Sequence, residues 1–129
     1  MSDDDRGELA IRTLAMPRDT NSAGDIFGGW IMSQMDVAGA TVAMRRAEGR
    51  VVTVGVESMS FHRPVFVGDA LSCWGTILRV GRTSIRVRVD AYARRGRGSV
   101  EEKVTDGVFT YVAVDDERRP RVVPPEEGR

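Results

Sequence analysis

The chain has 129 residues, with 19 lysines and arginines against 19 aspartates and glutamates, one cysteine and one histidine. This length fits one domain with a single core, and the balanced charge excludes an overall field that would attract nucleic acid or an anionic membrane. A single cysteine excludes an internal disulfide and a multi-cysteine metal site, and a single histidine argues against a histidine-rich one, so we expect no metal site.

Both ends of the chain differ in composition from its middle. Residues 1–8 are polar and acidic, and we expect a mobile leader there. Residues 117–129 carry three prolines and mixed charges, which is typical of a tail lying on a surface. Residues 9–116 make the single predicted domain. The apolar runs are too short to cross a membrane and the first residues do not resemble a signal peptide, so we expect a soluble, cytoplasmic protein.

Five segments have the apolar content or alternation of β-strands. They are Leu9–Met16, Val51–Phe61, Asp69–Val80, Arg82–Arg95 and Lys103–Val114. Alternation in the second segment predicts a core face made of valines and an opposite face, with Val52, Val54 and Val56 against Thr53, Gly55 and Glu57. The third and fourth segments are predicted to form a hairpin whose turn contains Gly81.

One long helix is predicted between the first two strands, from about Gly28 to Ala47. It is apolar almost all round until Arg45 and Arg46, so it needs cover on several sides. Strands curling around it would bury much of that surface, and a second copy of the chain would cover the rest. We therefore predict an α+β fold in which an antiparallel sheet of five to six strands wraps around one central helix. This order of elements resembles the hotdog fold.

The start of this helix has the features of a reaction site. Gly28 and Gly29 let a ligand approach backbone N–H groups at the positive end of the helix dipole, where an oxyanion is stabilised. Asp36 lies seven residues after Gly29 on the same face, and no lysine or arginine occurs three or four residues from it. An unpaired carboxylate in an apolar helix is costly, so we assign Asp36 a functional role rather than that of a solvated acid.

Ordered blocks cover the chain from about Leu9 to Val123. They are Thr13–Pro17, Asp19–Asn21, Gly24–Met32, Met35–Asp36, Val51–Val54, Glu57–Met59, Phe61 with Pro64, Gly68–Asp69, Val80–Ser84, Thr105–Asp106 and Phe109–Thr110. Together they resemble bacterial acyl-CoA thioesterases of the YciA type, in the hotdog thioesterase superfamily. So many blocks in the family's order make a specific signal, whereas one short glycine-rich piece would not.

The resemblance implies hydrolysis of an acyl-CoA thioester to a free acid and coenzyme A, with no metal and no cofactor beyond the coenzyme A of the substrate. It assigns the oxyanion site to Gly28 and Gly29 and the role of general base or nucleophile to Asp36, and the sequence leaves both routes open. In related enzymes this acid works with a polar residue in the pre-helix loop of the other subunit, which is Asn21 here. Asparagine is also a common turn residue. The implied minimal unit is a homodimer, and relatives suggest a homohexamer, a trimer of dimers.

Candidate substrate contacts fall into two groups. The coenzyme A phosphates suit the N–H, hydroxyl and guanidinium groups of a turn, with one further arginine, and these residues are Gly81, Arg82, Thr83, Ser84 and Arg63. The acyl pocket is assigned to Phe27, Trp30 and Met59. We expect His62 at the rim of the site and Cys73 buried and unreactive.

Two other classes of function stay open on sequence alone. The same fold hosts hydratases and dehydratases of acyl thioesters, and a non-catalytic acyl-CoA sensor is the second alternative. A hydratase should pair the helix acid with a histidine, and none occurs between Asn21 and Asp36, while a sensor has no need of that acid. The chain has no Gly-x-Ser-x-Gly sequence, so Ser–His–Asp hydrolysis lacks support. Glu57 is the next acid to consider if Asp36 is not the catalytic one.

Overall fold

The structure is a computed structural model that describes residues 6–98 and 100–126. Residues 1–5 of the predicted leader, Ser99, and residues 127–129 of the predicted tail lie outside the described residues.

One long helix packs against one antiparallel sheet. The elements in chain order are β1 (Glu8–Leu14), α1 (Gly28–Ala47), β2 (Val51–Phe61), β3 (Ala70–Val80), β4 (Ser84–Arg94) and β5 (Glu101–Ala113), with a short 3-10 turn at Pro17–Asp19. The strand order in the sheet is β1-β3-β4-β5-β2, and α1 contacts all five strands. The predicted α+β class and central helix are therefore confirmed, with five strands.

The helix has the bounds that the sequence predicts. Its buried residues recur at helical spacing and form one stripe against the sheet: Ile31, Met35, Ala38, Gly39, Val42, Ala43 and Ala47. It ends at Ala47. The next residue, Glu48, adopts the left-handed conformation (φ 55°), and the N–H of Gly49 donates to the carbonyl of Met44 over 3.2 Å. On the opposite side, Val37 stays 54% exposed in one protomer.

The prediction that Val52, Val54 and Val56 share a core face of β2 is wrong. Register shifts interrupt this edge strand between Thr53 and Gly55 and again between Glu57 and Ser60. Each such bulge adds a residue and changes which side chains face the helix. Thr53 lies opposite Tyr111 and Val56 opposite Phe109, both on the helix side, while Val52 lies opposite Val112. Val54 is 58% exposed.

The end of the described chain returns along the sheet. The N–H of Arg121 donates to the carbonyl of Ala113 over 2.9 Å, and that of Val123 donates to the carbonyl of Arg82 over 2.8 Å. Val123 is buried, and the Arg46 guanidinium donates to the carbonyl of Pro124 over 2.7 Å. This segment therefore joins the β3–β4 turn to the end of the helix.

Within the described residues, no helix combines the length and the apolar character that crossing a membrane requires.

Candidate active site

Asp36 lies half-buried on the helix, facing the β2–β5 pair. The Thr53 hydroxyl donates to Asp36 Oδ1 over 2.8 Å. The Tyr111 phenol lies 2.9 Å from the main-chain oxygen of Asp36 and 3.1 Å from Oδ1. Within the described chain, no hydrogen bond reaches Oδ2. One carboxylate oxygen is therefore held by the protein, and the other keeps its lone pairs for a substrate or water.

Tyr111 is fully buried on the helix side of β5. Burial, together with the neighbouring Asp36 carboxylate, raises the pKa of its phenol well above the ordinary value of 10.0. The phenol therefore stays protonated and acts as a donor. Its ring reaches the helix because position 39 is glycine: a Cβ there would overlap Tyr111 Oη and lie 3.0 Å from Cζ.

Sequence reasoning missed Thr53 and Tyr111. Strict alternation puts Thr53 on the face opposite the predicted valine face, and the bulge after Thr53 reverses that prediction. Tyr111 lies 75 positions after Asp36, so no local pattern connects them. The one signal in the sequence is Gly39, a small residue within one turn of the acid, where another side chain can approach the helix.

The start of α1 is open to a ligand. No side chain caps it and its first turn carries no acid, so the positive end of the dipole is uncompensated. Among the described residues, the N–H groups of Gly28 and Gly29 have no hydrogen-bond acceptor. A cavity of about 330 Å³ lies beside this helix start, lined by Ile26, Gly28, Ile31, Phe61, His62, Arg63, Pro64 and Val65.

Asn21 does not meet Asp36 within one protomer. Its Oδ1 accepts the N–H groups of Ala23 over 2.9 Å and Asp25 over 3.1 Å, which makes it the turn residue that its type favours. With Oδ1 so engaged, its amide NH₂ group is the part left for another molecule.

The two groups of predicted coenzyme A contacts lie at opposite ends of the sheet. The carbonyl of Thr83 accepts the N–H of Ala113, at the end of β5, whereas Arg63 donates its N–H to Val104, near the start. Nine residues of strand separate these positions, which is about 30 Å at the usual rise. Arg63 lines the cavity at the helix start, and Gly81, Arg82, Thr83 and Ser84 do not. One protomer therefore does not bring the two groups together.

None of the three predicted acyl-pocket residues lines that cavity. Phe27 and Trp30 belong to the helix start, and Met59 lies on β2. Phe27 is 56% exposed. Its ring lies beside Gly29, where it would be in contact with a side chain if that residue had one. Trp30 packs partly buried against the core. Met59 contacts Gly107 across β2 and β5.

The outer face of the sheet, away from the helix, carries ion pairs. Glu57 pairs with Arg86 there, so this acid does not share the face of Asp36. His62, which follows β2 and lines the cavity at the helix start, also contacts this face: its Nε2 lies 2.9 Å from Asp106 Oδ2, and Lys103 lies 3.3 Å from the same oxygen. Burial would raise the pKa of Asp106, but the hydrogen bonds and charges of His62 and Lys103 outweigh it and lower that pKa.

Cys73 is fully buried, and burial raises the pKa of its thiol to about 12. The part of the chain that the structure describes holds no group of three or more His, Cys, Asp or Glu residues that could bind a metal ion.

Comparison with protein families matches residues 23–100 to the thioesterase superfamily. The chain belongs to this superfamily. The acyl-CoA thioester hydrolase YciA of Escherichia coli (strain K12) is 48% identical to this chain over 124 residues, which cover 94% of each of the two sequences. The predicted resemblance to the YciA type is thereby confirmed.

Solved structures give the same fold. Cj0915, a hexameric hotdog fold thioesterase of Campylobacter jejuni, is 41% identical with a TM-score of 0.88 over 93% of this chain and 92% of its own. The predicted hotdog fold is confirmed.

A more distant structure carries informative variants. An acyl-CoA hydrolase of Staphylococcus aureus is 30% identical with a TM-score of 0.80, over 88% of this chain and 70% of its own. It has been solved with butyryl coenzyme A and coenzyme A, and also as two alanine variants, one of an asparagine and one of an aspartate fifteen positions further on. Asn21 and Asp36 have the same separation.

Proposed function

We propose that this protein hydrolyses acyl-CoA thioesters to a free carboxylic acid and coenzyme A, with Asp36 as the catalytic carboxylate. The observation that carries the proposal is Asp36 itself, with Oδ1 held by Thr53 and Tyr111 and Oδ2 unengaged, on a helix whose start presents unpaired N–H groups. Membership of the thioesterase superfamily supports the reaction class.

The Asp36 carboxylate can serve either of two balanced routes. As a general base it takes a proton from water, the hydroxide attacks the thioester carbon, the C–S bond breaks, and the thiolate receives the proton. As a nucleophile it attacks that carbon and expels the coenzyme A thiolate, and water then splits the mixed anhydride into the free acid and the restored carboxylate, while the remaining proton of that water goes to the thiolate. In both routes the carbonyl oxygen gains negative charge, and the proposed donors to it are the N–H groups of Gly28 and Gly29.

The proposed active unit is a dimer in which Asn21 of one protomer faces Asp36 of its partner. The Asn21 turn leaves its NH₂ group as a donor, suited to hold the attacking water or the thioester carbonyl. The equal separation of the asparagine and aspartate varied in the Staphylococcus aureus enzyme supports this pairing. The hexameric state of the Campylobacter jejuni thioesterase supports a trimer of dimers as the larger assembly.

Substrate binding is proposed to use both ends of the sheet. Arg63 and the turn of Gly81, Arg82, Thr83 and Ser84 contact the coenzyme A phosphates from different subunits, since they lie about 30 Å apart along one strand. Phe27, Trp30 and Met59 are proposed to contact the acyl chain. The proposed chemistry needs only water and the thioester, with coenzyme A as a product rather than a cofactor.

A hydratase is the second candidate, because of one observation. His62 is distant from Asp36 in sequence, yet it lines the cavity at the helix start beside Gly28. A hydratase would add water to an enoyl thioester and release no thiol, so the two activities separate by free-thiol detection. The superfamily membership favours hydrolysis.

The test of the proposed function is free-thiol release from short to long acyl-CoAs by the wild type and by Asp36→Asn. This nearly isosteric change should lower kcat by roughly 10²-fold or more, the scale of losing general-base assistance, with the fold and oligomer retained. Glu57→Gln is the matched control, because that acid lies on the outer face with Arg86, and it should keep wild-type activity. Near-wild-type turnover by Asp36→Asn would refute the assignment.

A further inference from the structure

We propose that Tyr111 is a positioning residue that fixes the Asp36 carboxylate so that Oδ2 is its reacting oxygen. The inference rests on the proposed function, because it concerns the same carboxylate. Tyr111 touches neither the thioester nor the attacking water in this proposal, and it acts only through Asp36.

The contact geometry ties Tyr111 to both the backbone and the side chain of Asp36. A phenol has one hydrogen, which is shared here between the main-chain oxygen at 2.9 Å and Oδ1 at 3.1 Å. A donor that reaches both groups restricts rotation of the carboxylate relative to the helix. Because Oδ1 also accepts from Thr53, the lone pairs of Oδ2 are the ones left for the reaction.

The phenol is itself held in place. The Tyr111 ring is fully buried and stacks near Phe109, with ring centroids 6.4 Å apart and planes at 12°. Gly39 provides the space through which the hydroxyl reaches the helix, since a Cβ there would overlap Oη. Thr53 lies opposite Tyr111 in the β2–β5 ladder, so both donors come from one cross-strand pair.

The first test is Tyr111→Phe, which keeps the buried ring and removes the donor. We expect kcat to fall about tenfold and KM to change less than about twofold, because the loss affects the reacting carboxylate and not substrate binding. Tyr92→Phe is the matched control: it removes the hydroxyl of another buried tyrosine, on the outer face beneath Arg6, and should leave both constants unchanged. An unchanged kcat in folded Tyr111→Phe would overturn the inference.

The second test is the double variant Tyr111→Phe with Asp36→Asn. If Tyr111 acts only by orienting the carboxylate, removing its hydroxyl should cause no further loss once the carboxylate is gone. A merely structural role would lower the residual rate by the same tenfold factor in both backgrounds, and that result also overturns the inference. If Asp36→Asn alone is fully active, the proposed function fails. If only Tyr111→Phe is fully active, the positioning role alone fails.

A third variant approaches the same contact from the helix. Gly39→Ala displaces the phenol from Asp36 without changing Tyr111, so it should lower kcat by a similar factor at similar KM. A folded Gly39→Ala protein with wild-type kcat would count against the inference even if Tyr111→Phe failed to fold.

Discussion

Thr53 donates to the same oxygen of Asp36 as Tyr111 does, from the edge strand instead of the buried one. Thr53→Val keeps the shape of the side chain and removes the hydroxyl, so Oδ1 loses one of its two donors. We expect kcat to fall about tenfold, within the range of one hydrogen bond to a charged group. Thr53→Ser keeps the hydroxyl and should retain most activity. Steady-state kinetics of the two variants check this. Wild-type kcat in Thr53→Val together with a loss in Thr53→Ser would show that the shape of the side chain, not its hydroxyl, matters.

Cys73 gives a prediction about alkaline stability. The folded thiol, with its pKa raised from 9.0 to about 12, keeps a proton that the unfolded chain releases. Its contribution to stability is therefore complete below pH 9 and is lost as the pH rises towards 12. Tyr111 acts in the same direction above its ordinary pKa of 10.0.

The measurement is the urea midpoint at fixed protein concentration from pH 8 to 11. The wild-type midpoint should fall with pH above about 9, and Cys73→Ala should show a shallower fall, whatever its stability at pH 8. If the urea midpoint fell equally steeply with pH in the wild type and in Cys73→Ala, the raised pKa of the buried Cys73 thiol would not explain the loss of stability.

Sequence reasoning at the residue scale found the acid but not its neighbours. Asp36 could be predicted because it is an unpaired carboxylate in an apolar helix, which is a local property. Thr53 and Tyr111 reach it through strand pairing, and the face of Thr53 depends on a bulge that period-two alternation does not encode.

Secondary structure was more predictable than contacts. The helix has its predicted bounds because an apolar run begins after two glycines and ends at a charged turn, which are local signals. β5 begins two residues earlier than predicted, since Glu101 and Glu102 pair with β4 although they are weak strand formers. β2 lies at the sheet edge, where bulges are common. Which of its side chains face the helix is therefore set by its pairing with β5 and not by local alternation.

Gly39→Ala tests the packing of the helix against β5. Alanine should add roughly 1 kcal/mol of helix propensity, but overpacking of a tight contact costs typically about 1–3 kcal/mol, so we expect net destabilisation. In a Tyr111→Phe background the overlap with Oη is gone, and the same change should be less destabilising or stabilising. Urea unfolding of the four proteins at one concentration measures the difference, and equal effects in both backgrounds would refute the contact.

The two ends of the sheet give a prediction on coenzyme A recognition. Arg82→Ala should raise KM for acyl-CoA about tenfold with little change in kcat, as expected for one charge-assisted contact. Arg63→Ala tests the other end in the same assay, and Arg119→Ala, an exposed arginine paired with Glu117, is the control. If KM at low salt is unchanged in Arg82→Ala, the phosphates are held elsewhere.

In a single protomer, part of the apolar surface of the helix and of the edge strand β2 stays exposed. Val37 on the helix and Val54, Val56 and Phe61 on the edge strand are all more than 40% exposed. Several exposed large apolar side chains on one helix and one edge strand are typical of an interface. The sequence could predict the need for a partner from the all-round apolar helix, but not which strand edge would meet it, because that follows from the order β1-β3-β4-β5-β2.

A site shared between subunits makes a quantitative prediction for mixed oligomers. Asn21→Ala keeps Asp36, and Asp36→Ala keeps Asn21, so a dimer of one each contains one intact site and one doubly altered site. Equal mixing with free subunit exchange gives half mixed dimers, and about one quarter of all sites should regain activity. Mixing Asp36→Ala with Asp36→Asn is the control and should give no recovery. If exchange is demonstrated with differently tagged subunits and the first mixture stays inactive, Asn21 and Asp36 do not act across an interface. The Asn21 turn would then have only the local role that its hydrogen bonds to Ala23 and Asp25 already give it.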